Sequence, residues 1–74
     1  MNLLKVNDRI KFGYTNWQSR HATRHVEYRG VFFGTLEEFY PGSPAQWYLV
    51  GIDMEKNAQR SFQMARMEGV EALT

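Results

Sequence analysis

The chain has 74 residues, no cysteine and a formal net charge of +1. That length holds one domain with a small core, and the lack of cysteine excludes a disulfide framework and a thiolate metal site. No apolar run approaches the ~18 residues of a membrane-spanning helix, and the opening MNLLKVNDR has no signal-peptide layout, so a cytoplasmic protein without membrane contact is expected.

The predicted elements follow in chain order. Lys5 to Tyr14 alternates, with Val6, Ile10, Phe12 and Tyr14 on one side and Lys5, Arg9 and Lys11 on the other. This predicts a half-buried strand, with a turn at Asn7-Asp8 as its one interruption. Thr15 to Thr23 is polar and reads as a loop carrying Trp17. Arg24 to Arg29 alternates again and Gly30 breaks the run, so Val31 to Leu36 is expected as a third strand or as the second half of a bent one. Glu37 to Ala45 is the longest connection, with the turn dipeptides Pro41-Gly42 and Ser43-Pro44. Gln46 to Met64 reads as a hairpin about the charged turn Met54 to Ala58. Period two places Arg60, Phe62 and Met64 on one face, with Arg60 at the rim of the core. Gln63 to Glu68 predicts a single helical turn, after which Val70 and Leu73 are expected to cover one end of the fold. Many short strands and few helical signals predict an all-β barrel rather than a sandwich.

Charge is unevenly placed. Residues 1–29 sum to +4 and residues 30–74 to −3. The segment Arg20 to Arg29 interleaves arginine with His21, His25 and Tyr28. That composition suits a phosphate backbone, and equally suits a solvated edge strand that resists edge pairing.

The stretch Gln46 to Met67 carries a resemblance. Trp47-Tyr48-Leu49, then Arg60-x-Phe62, then Arg66 beside Met67, resemble the WYL domain family. Ile10-x-Phe12-x-Tyr14, Arg24-His25-Val26 and Val31-Phe32-Phe33-Gly34 are similar to the first three strands of its short stand-alone members. Tyr28 and Tyr40 depart from that pattern, in which proline and histidine are common. The resemblance implies one Sm-like, SH3-type β-barrel of about five strands over residues 1–74. It implies a bacterial or phage protein of a family thought to sense nucleotides or nucleic acid. Most members lie behind a DNA-binding helix-turn-helix; residues 1–74 show none, so a stand-alone regulator or a subunit of a larger complex is expected.

The candidate ligand-binding residues are Arg24, Tyr48, Arg60 and Arg66. Arginine offers a planar fork of donors that suits phosphate, and an exposed Tyr48 or Tyr28 would stack a base. Trp47 and Tyr48 point to opposite faces, and alternation leaves open which one is core. The structural alternative pairs Arg60 or Arg66 with Asp53 or Glu68. No catalytic residue, metal site or cofactor is expected: His21 and His25 are four apart in loop and strand rather than helix, and Asp53 with Glu55 reads as a solvated turn. The ligand expected is a nucleotide or single-stranded nucleic acid. The alternative function is a protein-interaction barrel, in which Trp17 and Phe39-Tyr40-Pro41 contact a partner or a second copy.

Overall fold

The computed structural model describes residues 4–73. Five strands form one antiparallel sheet: β1 (Arg9–Thr15), β2 (His21–Gly34), β3 (Gln46–Asp53), β4 (Ala58–Gln63) and β5 (Met67–Ala72). A single 3-10 turn, Met64–Arg66, links β4 to β5 where one helical turn is predicted. The spatial order is β4-β3-β2-β1-β5.

The sheet is all-β as expected, but it is not closed into a barrel. β4 and β5 end the sheet on opposite sides, and among the described residues no ladder joins them. At the end of β4 the Gln63 N–H donates to the Tyr14 hydroxyl at 2.9 Å instead of to a strand. The sheet is nevertheless strongly curled. Phe62 of β4 meets Phe12 and Tyr14 of β1 edge-on, at 5.1 and 5.0 Å between centroids, across the width of β2 and β3.

Alternation builds this interior. Ile10, Phe12 and Tyr14 from β1 are buried with Val26, Leu49 and Phe62, and Leu4, Tyr28 and Met67 pack against them. Rings at right angles supply much of so small a core. Val6 is not part of it. The predicted first strand begins only at Arg9, because Lys5–Asp8 is a turn with Asn7 at φ 81. Met64 is also exposed, since the chain enters the 3-10 turn there and strand alternation stops.

β2 is one long strand, not two. Its bend is a bulge between Tyr28 and Gly30. Beyond the bulge Val31 and Phe33 face outwards. Opposite it, Gly51 pairs with Tyr28, and a Cβ there would collide with Val26 Cγ1 and come within 2.7 Å of the Glu27 carbonyl oxygen. Glycine lets β2 and β3 approach this closely.

β5 is the element that alternation did not predict. It lies along β1 with a register shift between Lys11 and Gly13, and Gly69 has φ +62. Val70 and Leu73 are about half exposed near this edge and cover no end of the fold.

Candidate functional site

A cavity of about 460 Å3 opens between β4, the end of β1 and the long β2–β3 loop. β4 lines it with Gln59, Arg60, Ser61 and Phe62. Tyr14, Asn16 and Trp17 come from the end of β1 and its loop, Phe39 and Tyr40 from the long loop, Arg24 from β2 and Lys56 from the β3–β4 turn. Three of these side chains are cationic and none is a carboxylate. A cleft lined by one sign of charge focuses its field; here Asp53 offsets Arg24.

Arg24 stands on the inner face of β2, opposite Phe12. Its Nη1 donates to Asp53 Oδ2 at 3.2 Å, and its Nε is buried without an acceptor. Asp53 is no solvated turn residue: it is buried, and its Oδ1 accepts the N–H groups of Glu55 and Lys56 at 3.1 and 3.3 Å. One carboxylate therefore holds Arg24 with one oxygen and shapes the turn that carries Lys56 with the other.

Arg60 is exposed on β4, and its Nη1 donates to the Gln59 carbonyl at 3.1 Å. It is not a charge forced into the core. Among the described residues no carboxylate lies within ion-pair distance of Arg60, Arg66 or Lys56. The expected struts are thus replaced: Asp53 takes Arg24, and Glu68 approaches His21 Nδ1 at 3.5 Å.

Arg66 stands just outside the lining. Its Nη1 donates to the carbonyls of Thr15 and Asn16 at 3.4 and 3.2 Å, and its guanidinium lies 5.9 Å from the Tyr40 ring centroid. Asn16 and Tyr40 are themselves wall residues. The fold therefore brings Arg24 and Arg60 to one cavity and sets Arg66 against its wall.

Tyr48 is a correction. It is 0% exposed, stacked on Phe32 at 5.0 Å, with its hydroxyl accepting from Gln63 Nε2 at 3.4 Å. No ring face remains for a base. Tyr28 packs on the core and lies outside the cavity lining. Trp47 is the exposed member of the pair, edge-on to Phe33 at 5.4 Å. Tyr40 is another correction, because it is buried rather than poised for a partner. Its hydroxyl lies 2.8 Å from that of Tyr14, whose phenol is pushed well above its ordinary range, first by burial and then by this hydrogen bond.

Lys56, Gln59 and Ser61 were not expected at the site. The first comes from the β3–β4 turn and the other two flank Arg60 on β4.

A model of the WYL domain family matches residues 4–72. The chain belongs to the WYL domain family. This WYL domain is also similar in structure to the proteasome accessory factor B/C (PafBC) of Arthrobacter aurescens, with a TM-score of 0.69 and 32% sequence identity. The likeness covers 90% of this chain but only 9% of that much longer one. No curated protein matches the sequence. Among the described residues no helix is long and apolar enough to cross a membrane.

Proposed function

We propose that this WYL domain is a non-enzymatic regulatory binding module that takes a nucleotide or single-stranded nucleic acid by its phosphate. One observation carries the reading. Arg24, Lys56 and Arg60 line a single cavity that contains no carboxylate, and Lys56 and Arg60 have no ion-pair partner among the described residues. Its volume of about 460 Å3 falls in the range of small-molecule sites. Family membership supports the same ligand class. Arg66 acts from behind the wall by holding Asn16 and Tyr40 in place.

The test is a titration of fluorescently labelled single-stranded oligonucleotide at several salt concentrations. Binding should weaken linearly in log–log form as salt rises. Arg60→Ala should weaken it for every sequence and reduce the salt slope by about 1. Absence of binding at low salt, or binding indifferent to salt, would overturn the reading.

A second reading, a protein-contact module or homodimer, rests on other residues than those expected for it. Phe33, Trp47 and Met64 are exposed and line a groove of about 390 Å3 with Ala45, Gln46 and Ala65. Exposed apolar surface of this kind marks contact sites. Light scattering tests it: a monomer at high micromolar concentration counts against a homodimer.

A further inference from the structure

We propose that Trp17 and Phe39 are the base-recognising half of the site, holding one unpaired base while the cations hold its phosphate. The inference rests on the phosphate-binding reading above and adds what that reading lacks, a surface for the base. Tyr48 is buried and unable to serve. Trp17 and Phe39 line the same cavity as Arg24 and Arg60, and they are 58% and 53% exposed.

Both rings sit on loops that are already fixed. Asn16 Oδ1 accepts the N–H groups of Gln18 and Arg20, each at 2.9 Å, while Ser19 takes φ 63 to close the loop behind Trp17. Arg66 ties the same loop to the 3-10 turn through the Asn16 carbonyl. On the other side Phe39 precedes Tyr40, whose N–H donates to the Leu36 carbonyl at 2.8 Å and whose hydroxyl is bonded to Tyr14. A ring held in the open on a rigid loop loses little freedom when a ligand covers it. Aromatic faces beside a cationic groove stack bases of any sequence. A base held there must be unpaired, since a paired one has its faces covered by neighbours in the duplex. The site therefore selects single strands or free nucleotides over duplex.

The chain has two tryptophans, and Trp47 lies outside this cavity. Trp47→Phe therefore leaves Trp17 as the only indole reporter. The probes are a short oligothymidylate and an abasic strand with the same number of phosphates. Oligothymidylate should change Trp17 emission, and the abasic strand should not. Trp17→Ala should lower oligothymidylate affinity about tenfold and leave abasic affinity unchanged, with Trp17→Phe restoring most of the loss. Equal affinity of Trp17→Ala and its parent for oligothymidylate overturns the proposal, as does an equal loss for both strands. If the parent binds neither strand, the phosphate reading itself fails and this proposal fails with it. A thermal melt of each variant verifies that the fold is retained.

Discussion

The Arg24 guanidinium donates to the Asp53 carboxylate across 3.2 Å, joining the first part of β2 to the end of β3. This contact connects stability to the site, because Asp53 also caps the turn bearing Lys56. Two of the three cations in the cavity depend on one buried carboxylate.

Asp53→Ala should therefore destabilise the domain by about 3 kcal/mol, the usual cost of leaving a buried charge without its partner. It should also weaken anion binding by the folded fraction. Lys11→Ala is the comparison, since Lys11 meets Glu71 at 3.7 Å on the surface, where such pairs contribute under about 1 kcal/mol. Urea denaturation of both variants checks the contrast, and equal losses would refute it.

Gly51→Ala should cost roughly 1–3 kcal/mol or more through overpacking, because the new methyl meets Val26 and the Glu27 backbone. Gly30→Ala, only a bulge away, meets nothing within 4 Å. It should stay within about 0.5 kcal/mol of the parent. Melting curves of the two variants separate close approach from mere presence in a strand.

Arg60→Ala should leave stability within about 0.5 kcal/mol of the parent, because the guanidinium is exposed and, among the described residues, bonds only to the Gln59 carbonyl. A clear fall in the melting temperature would show that Arg60 is a structural strut after all. Binding measured on the same sample distinguishes the two roles.

The raised Tyr14 phenol predicts alkaline sensitivity. Below about pH 10 the unfolded phenol is neutral too, so stability is fully present. Above that pH the unfolded chain loses the proton while the fold keeps it. Stability should then fall by about 1.4 kcal/mol per pH unit from this group. Tyr14→Phe should be less stable at pH 7 by about 1–3 kcal/mol, because the Gln63 N–H loses its acceptor. Its alkaline slope should be shallower than the parent's. Urea denaturation at pH 7, 10 and 11 measures both effects, and identical slopes would contradict the assignment.

Much of this molecule is determined by its sequence alone. Period-two alternation at Ile10, Phe12 and Tyr14 places the first strand on the core, and the charged turn after Asp53 sets the β3–β4 hairpin. The spacing of Trp47-Tyr48-Leu49, Arg60 and Arg66 identifies the family. The first two are local signals, each written in the element it specifies, and the third lies within one hairpin and the turn after it.

What the tertiary structure alone decided is which faces become covered. Alternation puts Trp47 and Tyr48 on opposite sides but does not choose between them. The choice is made when the β2–β3 loop folds Tyr40 over Tyr48 and leaves Trp47 in the open beside Phe33. The partner of Asp53 is likewise Arg24, 29 residues away, whereas the nearer Arg60 donates to the Gln59 carbonyl. β5 escapes notice because Gly69 breaks its pattern and its pairing with β1 is long-range. The cavity itself exists only because the sheet curls until Phe62 meets Tyr14. Periodicity records which residues share a face; only contacts between distant segments determine what that face meets.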